Sequence, residues 1–344
     1  EYTLNATSGT RHAVNVSGAA DVTIKAGTFV GPKGTTMDSG SAVNVQTGST
    51  VTIEGGDFSK GKNNTLSAAG TLIVKGGTFD QVVNALYLAE GYVCQMNADN
   101  KYEVFFAVAS ITNANGTLYY ASLQAAINAA ENGETVKVEA NVEATVMPTA
   151  DSTNNLDNCL VYVANDKTII IDLNGKTITV NGSDEAEYDV LAIRNHGNLT
   201  ITDSNATAGT IMLNYDGTQE FQSSQIHSTI LNFGTLTIDK VNIVNNATKG
   251  YTSHAIFNYS WGGNAILTIN GGVISSVNKG YSVYSQAYDD FSNNKCEVYI
   301  NDGTLSDGLR YDNTGYHAAN GANVVIIGGV FETNAERIQC CPEH

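Results

Sequence analysis

Val51-Thr-Ile-Glu-Gly-Gly-Asp-Phe58 decides the fold, because related octets recur along the chain. The octets share alternating apolar positions, followed in most of them by glycine and a final hydrophobic residue. The others are Val22-Thr-Ile-Lys-Ala-Gly-Thr-Phe29, Leu72-Ile-Val-Lys-Gly-Gly-Thr-Phe79, Leu199-Thr-Ile-Thr-Asp-Ser-Asn-Ala206, Leu236-Thr-Ile-Asp-Lys-Val-Asn-Ile243, Leu267-Thr-Ile-Asn-Gly-Gly-Val-Ile274, Val298-Tyr-Ile-Asn-Asp-Gly-Thr-Leu305 and Val324-Val-Ile-Ile-Gly-Gly-Val-Phe331. Except for one longer gap, successive octets begin roughly 20–40 residues apart, which is the spacing of structural repeats.

The alternation within each octet predicts a short β-strand. In Val51-Thr-Ile-Glu54, the two aliphatic side chains share one face of the strand and the polar side chains share the other. One such strand has little stability alone, but strands stacked once per repeat bury a continuous aliphatic row, at about 1.5–3 kcal/mol per fully buried side chain. Glycine then lets the chain bend sharply. We therefore predict an all-β fold, a parallel β-helix or solenoid.

Residues 122–131 carry the one clear helix signal, since Ser122 is a good N-cap and Asn132-Gly133 is a stop signal. A solenoid needs a cap over its first aliphatic row, and an amphipathic helix can provide it. We therefore predict two stacked segments separated by this short capping α-helix. Residues 1–105 are interpreted as the C-terminal coils and exit tail of a first module, and residues 106–344 as a second module.

The composition restricts the classes of partner. The formal net charge is −17, from 34 acidic and 17 basic residues. Such a surface repels phosphate backbones and anionic lipid headgroups, which argues against nucleic acid as a partner. The chain has no apolar run of about 18 residues, so direct membrane insertion is not expected. An acidic chain with few basic residues fits an extracellular protein, either secreted or at the cell surface.

The sequence predicts no cofactor. The five cysteines, Cys94, Cys159, Cys296, Cys340 and Cys341, are too scattered for a disulfide framework. The adjacent pair at the C-terminal end has no second ligand pair, so zinc is not supported and a structural or incidental role is favoured. Ca²⁺ is compatible with the acidic surface, but no calcium-binding motif predicts it.

Asparagine recurs before the octets. Asn195, Asn232 and Asn320 each lie four residues before the next octet. Two interpretations stay open: these side chains form a stacked amide ladder inside the turn, or they are turn asparagines that face solvent.

Four stretches together resemble pectin-lyase-like right-handed β-helices, most closely the large surface proteins of gut-type Gram-positive bacteria. The stretches are Thr168-Ile-Ile-Ile-Asp-Leu-Asn-Gly-Lys-Thr-Ile178, Gly197-Asn-Leu-Thr-Ile-Thr-Asp203, Gly76-Gly-Thr-Phe79 and the helix-to-strand segment Leu123–Val138. The resemblance covers nearly the whole chain. It implies a right-handed solenoid, but this fold carries lyases, glycosidases, adhesins and phage tailspikes, so it does not fix the function.

The resemblance also implies where enzymatic chemistry would lie. The lyases of this fold use Ca²⁺ held by acidic side chains and an Arg or Lys base, for which Arg310 between Asp307 and Asp312 is a better candidate than Arg194. A solvated salt bridge is the alternative explanation of Arg310. Hydrolases would need three converging aspartates. Three aspartates lie on successive repeats, Asp172, Asp203 and Asp239, but they occupy different places relative to the octets. The sequence signatures of these hydrolases are also absent.

The most suggestive group of residues is aromatic and acidic. Tyr259 and Trp261 lie in the loop before one octet, and Tyr288, Asp289 and Asp290 lie in the corresponding loop of the next repeat. Aromatic rings beside carboxylates suit sugar stacking and hydroxyl hydrogen bonding. The alternative is that these rings only pack the enlarged loops against the solenoid.

We therefore expect an extracellular, non-catalytic surface or adhesin-type module that presents loops to a glycan or another host-surface ligand. One alternative is a polysaccharide lyase or glycoside hydrolase that acts on acidic glycans. Another is a structural segment of an extracellular fibre, in which modules associate end to end.

Overall fold

A computed structural model describes residues 3–5, 11–32, 40–60, 64–147, 158–183, 189–216, 226–248, 253–261, 263–277, 280–287, 295–313, 323–332 and 338–340. The chain forms two compact units. Unit 1 comprises Glu1–Ala107 and Leu118–Ala121, and unit 2 comprises Val108–Thr117 and Ser122–His344. The assignment of residues 1–105 and 106–344 to successive solenoid modules stays a prediction.

Unit 1 consists of short strands and a single 3₁₀ turn, Ala85–Tyr87, within the residues described above. Its strands are β1 (Thr3–Asn5), β2 (Val14–Val16), β3 (Asp21–Ile24), β4 (Thr28–Val30), β5 (Val43–Val45), β6 (Thr50–Ile53), β7 (Asp57–Ser59), β8 (Leu66–Ala68), β9 (Thr71–Val74), β10 (Gly77–Phe79), β11 (Tyr92–Met96) and β12 (Tyr102–Phe106).

These strands pair in parallel with their counterparts from the next repeat. Strands β2, β5 and β8 form one sheet, β3, β6 and β9 a second, and β1, β4, β7 and β10 belong to a third. Each repeat, here called a period, thus contributes one strand to each sheet. The third sheet ends in two antiparallel strands, because β12 pairs with β10 and β11 pairs with β12.

The final hydrophobic residue of each octet in unit 1 is a phenylalanine, and these rings stack. The ring centroids of Phe29 and Phe58 are 4.9 Å apart, as are those of Phe58 and Phe79. Phe58 and Phe79 are fully buried. The ring spacing matches the distance between paired strands, about 4.8 Å, so the in-register pairing itself places one ring on the next.

The glycine pair of the octet forms the bend between β6 and β7. Gly56 has φ +120°, a backbone conformation that side chains disfavour. A side chain at Gly55 would overlap the carbonyl oxygen of Lys25 in the preceding period. Glycine is therefore required here both for the bend and for close stacking of one period on the next.

Unit 2 repeats the arrangement over more periods. Its elements begin with β13 (Ala109–Asn113), β14 (Gly116–Tyr120, which runs into unit 1) and helix α1 (Leu123–Ala129). The following strands are β15 (Thr135–Val138), β16 (Val142–Val146), β17 (Cys159–Val163), β18 (Thr168–Asp172), β19 (Thr177–Gly182), β20 (Leu191–Asn195), β21 (Asn198–Thr202), β22 (Thr210–Asn214), β23 (Ile230–Asn232), β24 (Thr235–Asp239), β25 (Asn242–Asn245), β26 (Ile256–Tyr259), β27 (Ala265–Ser276), β28 (Val283–Ala287), β29 (Cys296–Leu305), β30 (Leu309–Asn313), β31 (Asn323–Ile326), β32 (Val330–Phe331) and β33 (Ile338–Cys340).

The strands of unit 2 also form parallel rows. A seven-stranded sheet has the order β17-β20-β23-β26-β28-β30-β33, and all its pairs are parallel. A larger sheet holds two further parallel rows, which share the long strands β27 and β29. The all-β class and the parallel pairing predicted from the octets are therefore observed.

The aliphatic residues of the octets form the core of unit 2. Ile201, Ile238, Ile269 and Ile300 are in register on successive strands, and all four are fully buried. The row continues to Ile326 on β31, which is exposed.

Helix α1 forms where the sequence predicts a helix. The hydroxyl of Ser122 accepts a hydrogen bond from the amide of Ala125, and Leu123 and Ile127 are buried. The helix ends at Ala129, slightly before the expected end near residue 131, because the backbone becomes extended at Ala130. The side chain of Asn132 then accepts a hydrogen bond from the Thr168 amide of the next period. The helix packs against β13, β15 and β17.

Buried asparagines form a ladder inside the seven-stranded sheet, which decides between the two interpretations left open for Asn195 and Asn232. The amide of Asn195 donates to the side-chain oxygen of Asn232 (2.7 Å), and Asn232 donates to that of Asn258 (2.8 Å). All three are fully buried. Asn258 was not predicted as a member, and Asn320 lies outside the described residues. We call Asn195, Asn232 and Asn258 the asparagine ladder.

A second row of asparagines lies nearer the surface. Asn246 donates to Asn214 (3.0 Å), and Asn214 donates to Asn181 (2.9 Å). These side chains are part-buried, so water can replace a lost partner. We call Asn181, Asn214 and Asn246 the outer asparagine row.

In the residues with described structure, no helix has the length and apolar character needed to cross a bilayer.

Candidate functional site

The structure brings together two of the residues predicted for a binding site. Tyr259 lies at the end of β26 and is buried, whereas Trp261, two residues later, has 65% of its surface exposed. Their rings meet edge to face with centroids 5.9 Å apart. The other three predicted residues, Tyr288, Asp289 and Asp290, lie outside the described residues, so their part in the site stays a prediction.

The two rings belong to a longer line of aromatic side chains. The centroids are 5.5 Å apart between Tyr162 and His196, 4.6 Å between His196 and Phe233, and 5.8 Å between Phe233 and Tyr259. With Trp261, the line crosses four successive strands of the seven-stranded sheet, from β17 to β26. We call Tyr162, His196, Phe233, Tyr259 and Trp261 the aromatic file.

The asparagine ladder explains why three of these rings are aligned. His196, Phe233 and Tyr259 each follow a ladder asparagine directly in the sequence. Because the ladder fixes each asparagine inside the sheet, the side chain that follows points to the opposite face. The recurrent pair of asparagine and ring residue is a signal in the sequence, and it could have extended the predicted site to His196 and Phe233.

A cation lies against the file. The guanidinium carbon of Arg194 is 5.4 Å from the ring centroid of Phe233, and its Nε donates a hydrogen bond to Nε2 of His196 (3.2 Å). Burial, and then the charge of Arg194, lower the pKa of His196 to about 4. His196 is therefore neutral at physiological pH, and its Nε2 can accept this bond.

Arg310, the candidate base, lies in the same sheet but is already paired. Its Nη2 forms an ion pair with Oδ2 of Asp312 (2.7 Å), and the same oxygen accepts a hydrogen bond from the Tyr284 hydroxyl (2.7 Å). The guanidinium also lies over the ring of Tyr284. Asp307 instead accepts a bond from the Ser276 amide (2.7 Å). Ion pairing keeps a guanidinium protonated, so this geometry favours a structural role for Arg310.

His254 packs among these residues and provides a pH prediction. Burial, and then the charge of Arg310, lower its pKa to about 3, while Asp312 acts in the opposite direction. Its Nδ1 accepts a hydrogen bond from the Tyr281 amide (3.0 Å), which requires the neutral ring. In the unfolded chain the pKa of histidine is about 6.5. The contribution of His254 to stability is therefore complete above pH 6.5 and is lost as the pH falls towards 3.

We expect His254→Gln, which keeps an acceptor but does not titrate, to reduce the acid sensitivity of unit 2. Between pH 7 and pH 4.5, the free energy of unfolding of the unsubstituted chain should fall by about 2 kcal/mol more than that of the variant. Denaturant unfolding at the two pH values measures this. If the free energy of unfolding falls equally in the two proteins, His254 does not cause the acid sensitivity.

Two of the three aspartates weighed for hydrolysis, Asp172 and Asp203, are used in turns. Asp203 is buried and accepts hydrogen bonds from the amides of Asn205 and Gly209, both at 2.6 Å. Asp172 is also buried and accepts bonds from the amides of Asn174 and Ser204, both at 2.9 Å. Carboxylates that accept backbone N–H groups in this way hold the bend between two strands, and this explains their recurrence without catalysis.

No metal centre emerges from the described residues, which contain no group of three or more His, Cys, Asp or Glu side chains placed to hold an ion. Cys94, Cys159 and Cys296 are free thiols. Cys296 is buried, and burial, with smaller opposing effects of hydrogen bonds, raises its pKa to about 11. This thiol is therefore protonated and unreactive. The side chains of Cys340 and Cys341 lie outside the description.

Comparisons of the chain with protein-family models, curated proteins and solved structures give no match.

Proposed function

We propose that the chain is an extracellular, non-catalytic surface module of the adhesin type, built as a right-handed parallel β-helix, and that its aromatic file binds glycan chains. The observation that carries the proposal is the unbroken line of five rings from Tyr162 to Trp261 on one sheet. The in-register parallel rows of both units support the β-helix, since the chain returns to the same three strand rows once per period. Parallel connections of this kind are almost always right-handed.

Sugars suit such a surface. The apolar C–H face of a sugar ring stacks on an aromatic ring, and its hydroxyl groups bond to polar neighbours. Trp261 offers the most exposed ring of the file, while Phe233 and His196 are half-buried and held in place by their neighbours. A row of rings along a rigid sheet can therefore contact several sugars of one chain at once, which makes an extended glycan the best ligand.

The test is a glycan array followed by titration calorimetry with the best ligand. We expect Trp261→Ala and Phe233→Ala each to weaken binding by about tenfold or more, which is the loss of one stacking contact worth roughly 1.5 kcal/mol.

Tyr299→Ala is the matched control, because Tyr299 is an aromatic residue of unit 2 on a strand outside the seven-stranded sheet. Its binding should equal that of the unsubstituted protein. If Trp261→Ala and Phe233→Ala also bind every ligand normally, or if no glycan binds the unsubstituted protein, the proposed site is wrong.

The enzymatic alternative, a lyase or hydrolase of acidic glycans, has less support, because Arg310, Asp172 and Asp203 are engaged in the structural contacts described above. A screen of polyuronates with added Ca²⁺ tests it, and the appearance of unsaturated or shortened products would favour it over the binding module.

End-to-end association is a second candidate, favoured by the apolar surface at β31. Ile326 and Ile327 are exposed there, the latter at 76%. The counterparts of Ile326 in earlier periods, Ile300 and Ile269, are buried, and Ile327 places an apolar side chain at a position occupied there by the exposed Asn301 and Asn270. Among the described strands, β31 pairs only with β29, which leaves one of its edges open. Exposed edges of this kind pair readily with another chain. Sedimentation at rising concentration tests this candidate, because open-ended association should continue beyond a dimer.

A further inference from the structure

Arg194 has an unusual place beside the aromatic file. It lies on β20, in register with Tyr162 on one neighbouring strand and with Leu231 on the other. On this face of the sheet its neighbours are rings and aliphatic groups. A position between Tyr162 and Leu231 suits an apolar side chain, yet an arginine occupies it. Its charge needs an explanation, because a half-buried cation costs free energy unless it is paired.

The guanidinium is held in one orientation by two contacts. Phe233 supports its flat face, and the Nε–H bond to the neutral ring of His196 fixes one edge. Among the residues that the structure describes, these contacts engage Nε and leave the two terminal nitrogens for another partner. The remaining fork has the planar geometry that matches a carboxylate through two parallel hydrogen bonds.

The described residues do not supply that carboxylate. Within the described part of the chain, the ion pairs are those of Lys101, Lys295 and Arg310, and none involves Arg194. Asp189 feels the charge of Arg194, but its Oδ1 accepts the Ile226 amide (2.7 Å). Arg310 shows the contrast, since it lies on the same sheet and has its own carboxylate in Asp312 at 2.7 Å.

Resting on the proposed function, we propose that Arg194 is the carboxylate-binding residue of the glycan site, and that the ligand is an oligosaccharide ending in one carboxylate-bearing sugar, the chemistry of a sialic acid. The terminal nitrogens of Arg194 take the carboxylate, and the rings of the file take the neutral sugars beside it.

The charge distribution favours one carboxylate over many. Arg194 is the cation that the described structure places against the file, and the five file residues are themselves uncharged at physiological pH. A polyuronate would bring a carboxylate to every sugar, and those beyond Arg194 would face neutral rings on a protein of net charge −17. A single acidic sugar avoids that repulsion and still uses the exposed and half-buried rings of the file.

The experiment compares 3′-sialyllactose with lactose by titration calorimetry. The unsubstituted protein should bind sialyllactose at least tenfold more tightly than lactose. Arg194→Met, which keeps an unbranched side chain over Phe233, should remove this preference, so that the variant binds the two ligands with equal affinity. Trp261→Ala should weaken both ligands and keep the preference. Arg194→Lys, which keeps the charge but not the fork, should keep only part of the preference.

Lys240→Met is the matched control, because it makes the same change of net charge at an exposed residue that follows β24, at the opposite end of that strand from Phe233. It should keep the full preference. Hydrogen exchange of the seven-stranded sheet shows whether each variant is folded.

Equal binding of the two ligands to the unsubstituted protein, or a preference that survives Arg194→Met, overturns the carboxylate subsite but leaves a neutral glycan site standing. If the unsubstituted protein binds neither ligand, the carboxylate subsite is also overturned. The glycan array then tests the wider proposal of a glycan site separately. If sulfated lactose or oligogalacturonate binds more tightly than sialyllactose, the preferred anion is a sulfate or a polyuronate. That result also overturns the proposed subsite for one carboxylate-bearing sugar.

Discussion

Replacing Asn232 with alanine should lower the free energy of unfolding of unit 2 by about 3–5 kcal/mol, the largest effect expected of any polar residue. Its side chain bonds to both neighbours in the asparagine ladder and also to the backbone of Gly234 and Ile266. Alanine would leave several of these buried groups without partners, because the site is closed to water.

Denaturant unfolding and hydrogen exchange of β20, β23 and β26 measure the loss, and the outer asparagine row provides the control. Asn214→Ala removes an amide with the same pattern of neighbours, one donor and one acceptor on adjacent periods. Because water can reach this row, the loss should stay below about 1 kcal/mol. Equal losses at the two positions would show that burial does not determine the value of a ladder asparagine.

Replacing Phe58 with alanine should destabilise unit 1 by about 3–5 kcal/mol. The ring is fully buried between Phe29 and Phe79, so its removal leaves a cavity and breaks two stacking contacts at once. No backbone hydrogen bond depends on the side chain, so the measured loss reports packing alone.

Phe58→Leu is the matched variant, since leucine fills part of the cavity without a ring. Its loss should be about 1–2 kcal/mol. Hydrogen exchange of β4, β7 and β10 gives the local opening free energies in both variants. An alanine variant that stays within about 1 kcal/mol of the unsubstituted protein would mean that the phenylalanine stack is not part of the stabilising core.

The sequence predicts the strands well because the octets carry a strong physical signal. Val51 and Ile53 alternate with polar residues, and only an in-register stack hides such aliphatic pairs on every period. The helix after Ser122 was predicted for a similar reason, a cap residue followed by an amphipathic pattern. The helix ends about two residues before the expected position, because the extended backbone at Ala130 has no signal in the local sequence.

The candidate site was predicted less completely. Tyr259 and Trp261 stand out in the sequence, because they lie close together before an octet where the spacing is enlarged and the chain has only one tryptophan. The structure places Tyr259 at the end of β26 and Trp261 in the loop that follows. His196 and Phe233 are single rings in short turns, and such residues are usually local packing. Their alignment depends on the register between periods, so a pattern within one period cannot reveal it. Asn258 was missed as a ladder member because the enlarged loop separates it from the next octet.

The spacing along the asparagine ladder has an evolutionary consequence. Neighbouring members are 37 and 26 residues apart in the sequence, yet the same hydrogen bond joins them. The stack therefore tolerates insertion and deletion between strands, while the shift of a single residue within a strand would turn its buried face outward. Selection can thus remodel the segments that leave the stack without cost to its stability, and descendants of one ancestral chain can diverge in what they recognise while they keep one framework.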